Sequence, residues 1–142
     1  MSTVKVDTIQ TTGGVSEIAI DKLKGVSAAS SISVVGEGGT TTTNLQQGLA
    51  KVWCNHTFDV TIQDSFNVSG VTDEGTGSYD TDFTNAMVNN DYSALCGAFG
   101  TSQQSFGVLR TAVTTSYRCN LYDENGSADD RDLANVGFGD LA

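Results

Sequence analysis

The chain has 142 residues, with 7 Lys and Arg against 17 Asp and Glu for a net charge of −10, and it carries 18 Thr, 14 Ser, 9 Asn and 16 Gly but no Pro. This composition argues against nucleic-acid binding through a basic face, which needs clustered Lys and Arg, and against a helical bundle, because Thr, Ser, Asn and Gly are poor helix-interior residues. No apolar run approaches the roughly 20 residues of a membrane-spanning helix, and Met1 to Gln10 lacks the apolar block of a secretory signal, so neither membrane insertion nor signal-directed export is expected.

In chain order, residues 1–44 read as an extended arm of short strands. Val4, Val6 and Ile9 lie in a near-alternating stretch, Thr12-Gly13-Gly14 is a turn, and Ile18, Ile20 and Leu23 follow. Ile32, Val34 and Val35 form a third small apolar group. Such pieces are too short and too thinly apolar to fold alone, so they need a partner surface. Gly36-Glu37-Gly38-Gly39 and Thr40 to Thr43 punctuate the chain as a flexible or extended element, and no Lys-Ser/Thr follows the glycines to make a phosphate loop. Charge changes across this boundary. Residues 1–44 hold three Lys against four acids, a net of −1, whereas residues 45–142 hold four basic residues against 13 acids, a net of −9.

A short helix is predicted over Asn44 to Ala50, with Asn44 as its cap and Leu45 and Leu49 on one face. The remainder, 45–142, predicts a small antiparallel β-sandwich. Lys51 to His56 is a strand in which Trp53 is expected in the core. Val60 to Ser69 has period-two apolar positions at Val60, Ile62, Phe66 and Val68. Gly70 to Gly77 supplies turn chemistry and Ser78 to Phe83 returns as a hairpin. Asn85 to Asp91 reads as a helical turn or irregular loop. Tyr92 to Phe99, Gly107 to Tyr122 and Asn135 to Phe138 are the later strands.

Few constellations carry chemistry. Cys54, Cys96 and Cys119 are an odd number at wide spacing, with His56 the only histidine, and read as small buried hydrophobes. Cys54 and His56 share a strand face, with Asp59 the only nearby carboxylate to orient a base, and no G-x-S-x-G elbow is present. Asp80 and Asp82 face one side of a strand and read as part of a solvated acidic face. Asp123 to Asp130 is dense in oxygen donors but does not match the EF-hand spacing, and reads as an acidic turn. Three N-x-S/T sequons, at Asn55, Asn67 and Asn125, are expected by chance in so Asn-, Ser- and Thr-rich a chain. No catalytic residue, metal or cofactor is expected.

Thr3-Val4-Lys5-Val6-Asp7-Thr8-Ile9-Gln10-Thr11-Thr12-Gly13-Gly14 resembles the amino-terminal segment of tail-fibre-like and other virion appendage proteins of marine and cyanobacterial phages. Lys51-Val52-Trp53-Cys54-Asn55, then Asp64 to Ser69, Val71 to Tyr79, Phe83 to Met87 and Asn90-Asp91-Tyr92, resemble their carboxy-terminal β domain in the same order. Where that pattern usually carries Gly-Thr-Gly, this chain has Thr57-Phe58-Asp59. The resemblance implies a homotrimeric virion protein without enzymatic activity. Its arm (1–44), through Val4, Val6, Ile9, Ile18 and Ile20, would dock on a tail adaptor or major capsid protein. Its acidic head (45–142) would project as a tail fibre or head fibre, or act as a capsid decoration knob. Tyr79, Tyr92 and Tyr122 are the candidates for surface recognition, and a glycan-binding or glycan-cleaving β domain using Trp53, Tyr79, Tyr92, Asp80 and Asp82 is the reading of another class.

Overall fold

A computed structural model describes residues 22–24, 32–36, 39–99 and 105–142. Val4, Val6, Ile9, Ile18 and Ile20, the expected docking positions, lie outside the described residues. The described part is mainly β, with antiparallel sheets.

Strands β1 (Ser33–Val35) and β2 (Thr42–Asn44) pair as a small ribbon, Val34 opposite Thr43. Within the expected punctuation element, Gly36 N–H donates to the Thr41 carbonyl at 2.7 Å. Val34 and Val35 remain 51% and 58% exposed, so this ribbon has no core of its own. Helix α1 (Leu45–Gly48) follows, and Asn44 caps it as expected by accepting from the Gln47 amide at 3.0 Å. Lys51 Nζ closes its far end, donating to the carbonyls of Leu49 (2.7 Å) and Gln46.

Two four-stranded sheets then face each other. The first has the order β4-β3-β10-β7, from β3 (Val52–His56), β4 (Ile62–Phe66), β7 (Ser93–Phe99) and β10 (Asp132–Phe138). The second has the order β5-β6-β9-β8, from β5 (Val68–Gly75), β6 (Ser78–Phe83), β8 (Ser105–Val113) and β9 (Ser116–Asp123). Period-two burial explains the pairing of layers. Val52, Cys54, His56 and Leu133 point inward from the first sheet, and Tyr79, Thr81, Phe83, Tyr117, Cys119 and Leu121 from the second. Phe83, Tyr92 and Tyr117 meet edge-on or tilted at centroid distances of 5.4 to 6.4 Å. A buried polar chain ties the layers: the Tyr117 hydroxyl donates to Asn135 Oδ1, and Asn135 Nδ2 donates to Thr81 Oγ1 at 3.1 Å.

Several sequence expectations are corrected. The run Val60 to Ser69 is not one strand. It breaks at Asn67 (φ 60°), where the chain leaves the first sheet for the second. Ile62 and Phe66 consequently lie exposed, while Val60 and Val68 pack on the core. Gly70 to Gly75, read as turn, continues β5, and the turn narrows to Thr76-Gly77. Gly77 sits at φ 66° with no room for a side chain: a Cβ there would lie 2.5 Å from the Leu121 carbonyl oxygen. Gly107 to Tyr122 folds as a hairpin about Thr114-Thr115. Asn85 to Asp91 is irregular apart from a bridge between Met87 and Leu141. Trp53 is not a core residue. It alternates out of phase with Val52 and Cys54 and lies half-buried on the outer face. The expected strands over 51–56, 92–99 and 135–138 form as β3, β7 and β10.

Candidate functional site

The outer face of the first sheet is the most unusual surface. Cross-strand register places Phe66 opposite Trp53, Trp53 opposite Val136 and Val136 opposite Leu95, an apolar row running across all four strands. Phe66 is 51% and Leu95 65% exposed. The adjoining row is Asp64, Asn55, Ala134 and Gly97, with Asp64 its single charge. Beside the small residues of β7 and β10 lies a shallow depression of about 390 Å³, lined by Leu95, Cys96, Gly97, Ala134, Asn135 and Val136. Scattered exposed apolar residues are ordinary, but a contiguous row of large ones on a sheet face marks an interaction surface.

The outer face of the second sheet is polar over β5 and β6, whereas β8 exposes Phe106 and Val108 on it. Arg118 grips Asp80 with both ends of the guanidinium, Nε to Oδ1 at 2.6 Å and Nη2 to Oδ2 at 2.7 Å, and reaches Glu74 at 3.0 Å. Asp80 and Asp82 do share this outer side of β6, as expected, but Asp80 is committed to Arg118. At one end of the same face Phe106 and Tyr122 stack at 5.5 Å, with Phe106 49% exposed.

Of the three tyrosines singled out for surface recognition, only Tyr122 reaches a surface. Tyr79 and Tyr92 are corrected to core residues. Tyr79 is fully buried, its hydroxyl donating to Asp130 at 3.2 Å, and burial raises its pKa. The Tyr92 hydroxyl sits between the carbonyls of Ser116 (2.8 Å) and Val113 (3.0 Å), and burial pushes its pKa up to about 12. Both tyrosines fall on the inward phase of the local pattern, and aromatic identity alone does not reveal that phase.

The acidic turn uses its carboxylates on its own backbone. Asp123 accepts from the amides of Ser127 (2.8 Å) and Asn125 (2.9 Å), which hold its carboxyl below the usual range. Asp130 accepts from Gly77 N–H at 2.6 Å, and Asp129 pairs with Arg131 at 2.6 Å. Among the described residues no three His, Cys, Asp or Glu side chains converge as metal ligands, and no described helix is long and apolar enough to cross a membrane.

His56 is fully buried. Its Nδ1 donates to the Thr57 carbonyl at 2.9 Å, its ring stands edge-on to Tyr79 at 5.1 Å, and its Nε2 is buried without a partner. Desolvation holds its pKa below 6.5, against the smaller opposing pull of the Thr57 carbonyl and Asp132. Cys54 and Cys119 are buried thiols as expected, while Cys96 is half-buried. The Cys119 thiol is raised by its hydrogen bond with Cys96 and by burial, and burial alone pushes Cys54 up to about 11. Sequence reasoning missed the row Phe66, Trp53, Val136 and Leu95 because cross-strand register, which aligns it, is a property of the assembled sheet. No family model, curated protein or solved structure matches this chain.

Proposed function

We propose that the chain is a phage virion structural protein, a short homotrimeric fibre or fibre-like appendage on the tail or the head. Its N-terminal arm (1–44) docks on another virion protein, a tail adaptor or the major capsid protein, and its acidic β-sandwich head (45–142) projects. The role is structural and not catalytic. The observation that carries this reading is apolar surface that the described residues leave uncovered. The β1–β2 ribbon leaves Val34 and Val35 exposed among the described residues, and the sandwich adds the row of Phe66, Trp53, Val136 and Leu95. A soluble monomer seldom keeps such surface, whereas an assembling module buries it against neighbours. The net charge of −9 on residues 45–142 supports a projecting head, because like-charged heads resist non-specific clumping. The ordered resemblance to phage appendage proteins supports the same assignment.

Sedimentation of the purified full-length chain tests it: three chains per particle at micromolar concentration are expected, and a compact monomer overturns the trimer. Deleting residues 1–30 is expected to abolish attachment to the particle and leave the head folded. Gold labelling of intact particles separates a tail or head fibre from a capsid decoration knob. The stacked Phe106 and Tyr122 favour a second reading, contact with a host-surface glycan, since aromatic faces bind sugar rings. A glycan array with hits lost in Tyr122→Ala supports it, and an array without hits removes it.

A further inference from the structure

We propose that the outer face of the first sheet is a two-fold interface between two copies of this chain. The face is divided into unlike halves. On β4 and β3 it presents the bulky side chains of Phe66 and Trp53. On β10 and β7 it presents the small residues Ala134 and Gly97 beside Val136 and Leu95, above the depression of about 390 Å³. A two-fold axis parallel to the strands, running between β3 and β10, sets each copy's bulky half over the other's hollow half. Phe66 then meets Leu95, and Trp53 meets Val136. An axis perpendicular to the strands sets bulk on bulk and leaves hollow facing hollow. Self-complementarity of one patch is the mark of an isologous contact, and sheets pack face to face in nearly this alignment.

Charge points to the same occupant. Across the two rows Asp64 is the only charge, and it lies on the edge strand β4. The strand-parallel axis places it over Gly97 of the other copy. The two Asp64 carboxylates end at opposite edges, three strand spacings or roughly 14 Å apart, beyond the Debye length of about 8 Å at physiological salt. A head with a net charge of −9 meets its own copy with least repulsion on this face. An aromatic centre with polar rims is also the usual anatomy of an interface hot spot.

The area sets the strength. Four strands by two outward rows cover roughly 260 Å² on each copy, or about 520 Å² in total, well short of the ~1,200 Å² of a stable stand-alone complex. Free heads therefore pair weakly, and two arm-joined particles pair more tightly because several heads of one can meet several heads of the other at once. That strengthening rests on the proposed arm assembly, whereas the pairing itself does not.

The test is sedimentation equilibrium of the full-length chain from micromolar to submillimolar concentration, with circular dichroism to check the fold. The wild-type chain is expected to reach twice the particle mass of Leu95→Glu or Phe66→Lys, both at exposed positions. The double variant, whose introduced opposite charges face each other across the two-fold, is expected to recover the wild-type mass. Thr72→Glu, on the outer face of the second sheet, is expected to change nothing. An unchanged mass in both single variants overturns the interface, and so does a double variant that stays at half mass. The mass at which the single variants settle reads the arm separately: three chains support the trimer, and one chain refutes the trimer while leaving the interface standing.

Discussion

Replacing Asn67 tests how the chain passes between its two sheets. Asn67 holds φ 60° between β4 and β5. Its Nδ2 donates to the carbonyls of Lys51 (3.0 Å) and Asn85 (3.0 Å), and its Oδ1 accepts from the Asn85 amide (2.8 Å) and side chain (3.0 Å). Each such bond contributes about 0.5 to 1.5 kcal/mol net, with exposed ones at the low end, so the four together are worth about 2 to 3 kcal/mol. The left-handed backbone adds about 1 kcal/mol for any residue with a Cβ that lacks the local bonding of Asn. Asn67→Ala is therefore expected to destabilise by about 3 to 4 kcal/mol, losing both contributions. Asn67→Gly loses the bonds but not the backbone fit and is expected to be the milder variant by up to about 1 kcal/mol, the flexibility of Gly in the unfolded chain taking back part of that difference. Urea unfolding followed by the fluorescence of Trp53 and by circular dichroism gives both numbers from the midpoint and slope. If Asn67→Ala lies within about 0.5 kcal/mol of wild type, or Asn67→Gly is the less stable of the two, the corner is not what turns the chain.

Three further outcomes are expected. Stability is expected to fall as pH drops below about 6.5, because the unfolded chain takes up a proton that buried His56, with its pKa lowered and its Nε2 facing no acceptor, resists. That stability is fully present above the unfolded pKa and is lost towards the lower folded one. Comparing unfolding at neutral and mildly acid pH in wild type and His56→Phe checks it, the variant showing the shallower dependence. Gly107→Ala would place a Cβ 2.6 Å from the Cys96 carbonyl oxygen, where β7 and β8 approach, and is expected to cost about 1 to 3 kcal/mol in thermal or urea unfolding. Cys54 and Cys119 are expected to react with a thiol reagent at mildly alkaline pH only after denaturant is added, since burial keeps Cys54 protonated and the hydrogen bond with Cys96, together with burial, does so for Cys119. Rapid labelling of all three thiols in the native protein would contradict the described core.

Much of the fold is legible locally. β3, β6, β9 and β10 alternate inward and outward residues with a period of two, and that period is visible in Val52 to His56 and Ser78 to Phe83. The cap at Asn44 follows from the chemistry of one side chain and the amides after it. Residue type alone misplaces Trp53, Tyr79 and Tyr92, because the face each takes is set by its phase along the chain and by which side of the sheet the other layer covers. Val60 to Val68 looks like one amphipathic strand until Asn67 turns it, and the turn depends on carbonyls of Lys51 and Asn85, distant in sequence.

The amino-acid sequence by itself determined the β class, the excess of acidic over basic residues, its division between residues 1–44 and 45–142, and the short capped helix that follows the ribbon. Each of these depends on composition or on contacts within a few residues. Only the tertiary structure decided which apolar residues close the core and which remain outside. Phe66, Trp53, Val136 and Leu95 come from four strands and form one surface only through register, and register is set by pairing between strands distant in sequence.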